Sequence, residues 1–336
     1  MSGKRWVLTA VSFLFAIGAS VHIVRTSWSH EGARVSLPLW GHLACFTAAL
    51  LELLTRSIKI RLSGAAVRIP LRVRTSLRVS LGGDFGGSIT PARSGAEPAR
   101  FLILRESGLA AADSLVILFL ELFLEMLSLA ALAVGLAFAL GSSSAEVRGL
   151  VGMVAAYSTF VIGAGAIGYT AAKRWGDGPP PAFVRRLHLS DRRWRAVQRS
   201  LHHLRHNVAK LRTARWWVLS GSFLFSLLHV LMRLSVLPIV VYALGVRTAL
   251  GPLVLWPLAI IYGGAATPVP AGGGLIEVAF RGALDGHIPP QMLGAALLWW
   301  RVYTFYILLV GGALVTGAAV MRSLRRNTVA EMNAAD

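Results

Sequence analysis

The sequence predicts an all-α polytopic membrane protein made of two inverted repeats, and three observations carry that prediction. The 336 residues are 55% hydrophobic with a mean hydropathy of +0.63, and several apolar runs reach the roughly 20 residues a helix needs to cross a bilayer. The formal net charge of +19 collects between those runs rather than within them. Two Pro- and Gly-bearing segments also interrupt apolar sequence at matching places in the two halves. They read Thr90-Pro91-Ala92-Arg93-Ser94-Gly95-Ala96-Glu97 and Thr267-Pro268-Val269-Pro270-Ala271-Gly272-Gly273-Gly274-Leu275-Ile276-Glu277. Glu121 follows Glu97 by 24 positions and Arg301 follows Glu277 by 24, each inside a further apolar run.

The elements follow in order. A first helix is expected over Trp6–Val24, behind Lys4 and Arg5. It is longer than the core of a signal peptide and no small-residue cleavage site is obvious after it, so it reads as a retained helix. A second helix covers Leu37–Thr55. The stretch 56–78 then carries Arg56, Lys59, Arg61, Arg68, Arg72, Arg74 and Arg78 with no acid. Its alternation of basic and apolar residues places it on the cytoplasmic surface against anionic lipid. The first broken segment runs from Leu81 to about Leu104, the third helix over Leu115–Leu140 and the fourth over Val147–Ala172. A basic loop, 173–215, holds 12 Lys/Arg against Asp177 and Asp191. The fifth helix is Trp216–Leu244, the second broken segment Pro252–Leu284 and the sixth helix Gln291–Val320. Arg322, Arg325 and Arg326 lie in the tail, 322–336.

Excess Lys and Arg mark cytoplasmic flanks. About six full crossings put every basic stretch, and both termini, on the cytoplasmic side, provided each broken segment enters and leaves on one face. If each broken segment is instead two short spanning helices, the count rises to eight with the same sidedness. The first repeat then occupies 1–140 and the inverted second repeat 141–321, within one integral membrane domain. Repeats of opposite topology place a binding site between them, at the broken helices.

Composition also excludes classes of function. Cys45 is the only cysteine, so neither an intrachain disulfide nor a cysteine metal or redox centre is available. The positive charge lies at helix flanks, which assigns it to orientation and lipid headgroups rather than to nucleic acid. Gly82-Gly83 and Gly86-Gly87 lack the Lys-Ser/Thr ending of a phosphate loop. His202, His203 and His206 have helical spacing but no neighbouring acid, and Trp216-Trp217 and Trp299-Trp300 read as interface or packing residues. No cofactor, metal or catalytic motif is expected, and the chain is not read as an enzyme.

The candidate site is therefore ionic. In the first broken segment the glycines give a flexible entry, and Pro91 suits the first turn of a short helix capped by Thr90. The end of such a helix seats a phosphate, with Arg93 and Arg100 as forked donors. Pro98 pushes Glu97 out of helical geometry, leaving it at a break. The plainer reading is that Arg93, Glu97 and Arg100 neutralise one another. On the third helix Ser114, Glu121, Glu125 and Ser128 share a face. That face must point into the bundle, because a carboxylate at mid-membrane is costly. Each acid is expected to be protonated or paired with Arg301, Arg233 or Arg93; either Glu121 exchanges partners, or a proton, as a headgroup passes, or the pair is a fixed one between repeats. Thr267 and Glu277 repeat the device, although Glu277 would also suit a helix first turn on dipole grounds alone. Arg301, beside Tyr303, should turn inward to phosphate, Glu277 or Glu121, and Arg233 lies four residues beyond His229.

Taken together, Thr90 to Arg100, Glu121, Thr267 to Glu277 and Arg301-Val302-Tyr303-Thr304-Phe305-Tyr306 resemble the flippase-like membrane domain of lysylphosphatidylglycerol synthases and its stand-alone relatives. The resemblance covers about residues 10 to 320. It implies movement of lipids between leaflets, including aminoacylated phosphatidylglycerol where a synthase domain is fused. This chain ends soon after the sixth helix, so it is expected to be a stand-alone member. Fused members read Pro-x-Arg-x-Gly-Glu with Arg after the helical acid, whereas here Ala96 intervenes, Pro98 follows Glu97 and Leu122 follows Glu121.

The leading expectation is a translocator of an anionic phospholipid or another phosphate-bearing, polyprenyl or hopanoid-type lipid, in the bacterial cytoplasmic membrane. The alternatives are a membrane subunit supporting a lipid or glycan biosynthetic enzyme, and an intramembrane lipid-modifying enzyme. The sequence leaves the oligomeric state open.

Overall fold

A computed structural model describes residues 36–140, 145–175, 191–211, 213–264 and 274–316, with four further positions before them. The helix expected over Trp6–Val24 therefore lies almost wholly outside the described residues. Those residues are all-α in every named element: α1 Leu39–Ala66, α2 Val73–Ser88, α3 Ala96–Glu106, α4 Ala111–Leu140, α5 Ala145–Trp175, α6 Asp191–Leu211, α7 Trp216–Ala243, α8 Leu250–Gly264, α9 Leu275–Leu284 and α10, which begins Pro290–Arg301 and reaches Thr316.

Four stretches are long and apolar enough to cross a membrane: Ala111–Ala139, Val147–Trp175, Trp216–Ala243 and Pro290–Thr316. These are the third to sixth helices expected from the sequence, and the protein is an all-α polytopic membrane protein. Helix α1 matches them in length with 28 residues but carries Glu52, Arg56, Lys59 and Arg61. It does not stop at Thr55. No Gly or Pro intervenes before Gly64, and the helix ends at Ala66, where Arg68 adopts φ 63°. There Ile69 N–H donates to Gly64 O at 2.8 Å, and Pro70 blocks continuation. Arg56 and Lys59, expected on the surface, are consequently buried at 2% and 0% exposure. Arg61, Arg68, Arg72 and Arg74 of the same stretch are exposed.

Each broken segment resolves into two short helices, α2 with α3 and α8 with α9. They have 16, 11, 15 and 10 residues, all short of the roughly 20 that a crossing takes. The loop 173–215 contains α6, an amphipathic helix.

The chain folds as two compact units, each drawing on both halves of the sequence. The first takes Met1–Leu53, Leu77–Arg100 and Met232–Asp336. Its core joins Cys45 and Ala48 of α1, Val236 to Val241 of α7, Phe280 of α9 and Leu297 and Trp300 of α10. The second takes Leu54–Ser76 and Phe101–Leu231. There α4, α5 and α6 pack on one another, and Leu120, Leu124, Ala66 and Val218 form a further apolar cluster.

The glycines of the first broken segment act through their size. They sit inside α2 rather than in a flexible entry, and they let α3 lie antiparallel against it. A Cβ on Gly86 would fall 2.6 Å from Gly95 O and 2.8 Å from Ala99 Cβ; one on Gly83 would fall 2.7 Å from Arg100 Cγ. On another side of α2, a Cβ on Gly312 of α10 would fall 2.8 Å from Phe85 Cβ. Small residues at such contacts bring helix backbones close where no hydrophobic effect drives association. Gly86→Val should therefore destabilise the protein by about 1–3 kcal/mol through overpacking, read as a lower unfolding temperature in detergent. Gly152→Ala, whose Cβ meets nothing within 4 Å, should stay within about 0.5 kcal/mol of the parent. Equal shifts for the two would contradict the packing role.

Candidate functional site

The second unit holds a buried ionic cluster. Ser114, Glu121 and Ser128 of α4 are all 0% exposed, as their common face requires, and Glu125 is 15% exposed at its side chain. The cation that meets them is Lys59 of α1. Its Nζ lies 3.2 Å from Glu121 Oε1 and 3.2 Å from Glu125 Oε2. His229 Nε2 of α7 is 3.9 Å from Glu125 Oε1, and the helices are stitched beside it by Ser222 Oγ, which donates to Lys59 O at 3.3 Å. Sequence reasoning missed Lys59 because it assigned 56–78 to the surface. The signal available was a helix with no breaker between Thr55 and Gly64, and two acids on α4 in need of a cation.

In the first unit the matching arrangement is Arg301 with Glu277. Glu277 enters in the first turn of α9, after Gly274 at φ 78°. It is 0% exposed, which a mere dipole-facing surface acid would not be. Arg301 Nη2 reaches Glu277 Oε1 at 2.8 Å, and the guanidinium lies 4.6 Å from the centroid of the Phe305 ring. The helix carrying Arg301 widens to a π-turn directly afterwards, over Val302–Tyr306, and Thr304 Oγ1 donates to Trp300 O at 2.6 Å within it. Such turns recur at functional sites because they offset the side chains that follow. Tyr303 is turned to α1, where its hydroxyl lies 2.8 Å from His42 Nδ1. Trp299 completes the group, edge-on to His42 at 4.5 Å between ring centroids.

The α2–α3 hairpin, also in the first unit, departs from its expected form. Pro91 opens only a three-residue turn, Pro91–Arg93, with Ala92 and Arg93 both at φ 52°. The helix starts at Ala96, so Thr90 is not its cap. Thr90 Oγ1 instead donates to Gly86 O at 2.8 Å and accepts from Gly95 N–H at 2.7 Å, closing the turn. Pro98 falls in the first turn of α3, where a missing N–H costs nothing. Glu97 is therefore helical, not at a break. Its carboxylate pairs with Arg100 at 3.2 Å, with Arg100 8% and Glu97 41% exposed. Arg93 is 30% exposed and lies 3.6 Å from Asp84 Oδ1, an α2 acid that the sequence did not single out.

Of the expected residues, Thr90, Arg93, Glu97 and Arg100 share the hairpin; Glu277, Arg301 and Tyr303 share α9 and α10; and Glu121 and Glu125 lie in the second unit. Thr267 lies outside the described residues. Arg233 is half-buried on α7, with an Nε that has no hydrogen-bond partner among the described residues. The cation found against Glu121 is Lys59, which was not among those expected, while Arg301 pairs with Glu277 and Arg93 with Asp84.

A buried ion pair leaves its surviving member stranded when the other is removed, at about 3–5 kcal/mol. Lys59→Met should be that costly in detergent unfolding, and adding Glu121→Gln to it should recover part of the loss. Strictly additive effects would show that Lys59 and Glu121 do not depend on each other.

These features have a family. The chain matches, over residues 6–312, the model described as the lysylphosphatidylglycerol synthase TM region. A search of curated proteins gave no significant match. The match takes in both ionic clusters and the α2–α3 hairpin, and the chain belongs to the lysylphosphatidylglycerol synthase TM region family.

Proposed function

We propose that this protein moves lipids between the leaflets of the bacterial cytoplasmic membrane, binding an anionic or phosphate-bearing headgroup at the first unit's arginines. The observation that carries the reading is Arg301. An arginine 4% exposed in a membrane-spanning helix is expensive to keep there and is a functional candidate by default. It is held by one carboxylate at 2.8 Å, and its Nε has no hydrogen-bond partner among the described residues. A guanidinium presents five donors in a fork that suits phosphate, so a headgroup can engage it while Glu277 still holds one arm. Arg93, partly exposed on the hairpin, would receive the headgroup, with Arg100 behind it. Two inverted repeats rocking about the broken helices would then expose the site to each leaflet in turn.

Membership of a family whose membrane region is linked to lipid handling supports the same reading. A second reading is favoured by α6. It carries Arg192, Arg193, Arg195, Arg199, Arg205 and Lys210 against Asp191, and it would let the protein seat a lipid or glycan biosynthetic enzyme at the membrane.

Reconstitution in liposomes separates the two. Leaflet exchange of labelled phosphatidylglycerol, phosphatidylethanolamine and a polyprenyl phosphate should proceed for one headgroup class. Arg301→Ala should slow it by tenfold or more, a loss of at least about 1.4 kcal/mol. Arg301→Lys should fall between, because an ammonium lacks the fork. No exchange of any lipid by folded protein would overturn translocation and bring the α6 reading forward; a chemically altered lipid would point to an enzyme instead.

A further inference from the structure

We propose that Glu125, His229 and Glu121, gathered around Lys59, form a proton-binding site through which lipid movement is coupled to a proton gradient. The coupling rests on the translocation reading; the proton site does not. The geometry has three parts. One ammonium is shared at 3.2 Å by two carboxylates a turn apart on α4. An imidazole, buried at 1% exposure, stands 3.9 Å from the outer carboxylate. That outer member, Glu125, is the one with its side chain partly exposed, at 15%, and Glu121 is buried behind it.

With both carboxylates ionised, Lys59 bridges them. One proton from water, added to Glu125 or to His229 Nε2, changes that balance. On Glu125 it removes the charge that draws Lys59 outward, and the ammonium, keeping its own three protons, remains with Glu121. On His229 it creates an imidazolium within ion-pair reach of Glu125 and competes with Lys59 for it. Either way the pairing between α1 and α4 changes by one proton, and releasing that proton to the opposite side restores the bridge. No other co-reactant is needed.

Further ionisable groups lie on the elements around this set. On α1, Glu52 and Arg56 are buried in the two turns before Lys59, and Arg61 follows it on an exposed position. On α7 the next turn after His229 carries Arg233, while Ser222 and Ser226 precede it. Helix α5, packed on α4, has Glu146, Arg148, Lys173 and Arg174 only at its ends, with Tyr157 and Tyr169 between. Helix α6, packed on both, contributes mainly Lys, Arg and His. The only carboxylates along α4 beyond its first turn are Glu121 and Glu125.

Two measurements test this. Infrared pH titration of the purified protein should reveal a carboxylic-acid band that is lost in Glu125→Gln and displaced along the pH axis in His229→Gln. In liposomes, a gradient of about one pH unit should shift the steady-state leaflet distribution of the exchanged lipid, by up to about tenfold for one proton per lipid, and should fail to do so in Glu125→Gln. A titrating band with no lipid exchange would sink translocation and leave the proton site standing. Exchange indifferent to the gradient, with a carboxyl band unchanged in Glu125→Gln, would overturn the proton site alone. Should Glu125→Gln not fold, the His229→Gln displacement and the parent's gradient response decide the matter.

Discussion

Charge carried into the apolar interior has to be met inside the chain, and the rest of this structure is arranged around that requirement. A carboxylate or ammonium facing hydrocarbon costs several kcal/mol. Helix α4 nonetheless carries two acids where it should be uniformly apolar, and α10 carries an arginine. Meeting the first demand fixes where Lys59 must be, and so how far α1 continues and on which face it meets α4. Meeting the second fixes the approach of α9 to α10, since Glu277 has to lie within 2.8 Å of Arg301. The apolar contacts follow these anchors; Phe280 stacks on Trp300 at 5.1 Å, one residue before Arg301 on the same helix.

The same rule governs the breaks. A helix that stops within a membrane leaves carbonyls without partners. At the end of α2 the following residues supply two of them: Ile89 N–H donates to Phe85 O at 3.1 Å and Thr90 Oγ1 to Gly86 O at 2.8 Å. Thr90 then accepts from Gly95 N–H at 2.7 Å, so one side chain serves both sides of the turn. Ala92 and Arg93, both at φ 52°, hold a backbone region that residues with a Cβ occupy reluctantly. That conformation persists because the helices on either side are clamped by the close approach of Gly86 and Gly95. Arg93 thereby leaves the turn at an angle no continuous helix would give it.

Much of this was legible in the sequence. The spacing of Ser114, Glu121, Glu125 and Ser128 dictates one face, and energetics dictate that it turns inward; it does. An arginine deep in an apolar run, as Arg301 is, has to face a partner, and Glu277 was among those foreseen. Three features were not legible, for separate reasons. Lys59 was hidden because a basic stretch beside a membrane helix ordinarily lies on the surface, and only the length of α1 decides otherwise. The glycines of α2 read as hinges because their usual signature is backbone freedom, whereas here the missing Cβ matters. Pro98 read as a breaker because the helix was expected to start at Pro91 and starts instead at Ala96; in a first turn, proline breaks nothing.

The two ionic clusters also differ in kind, and the choice of cation in each explains why. Arginine does not lose its proton in a protein, so the Arg301–Glu277 pair keeps its positive member whatever else binds. Its planar fork can share donors between a carboxylate and a second oxyanion. Lysine offers a compact charge with no preferred plane, and it can be drawn between two carboxylates at equal distance, as Lys59 is. A neighbouring histidine gives that set a further group able to take up a proton, whereas Arg301 has Phe305 beside it, which takes up none. In the proposed cycle the arginine pair therefore suits the cargo, whose charge must be recognised at every stage. The lysine cluster suits the switch, whose charge has to change. Exchanging the two cations would keep the formal charge of each cluster and forfeit the property that fits it to its place.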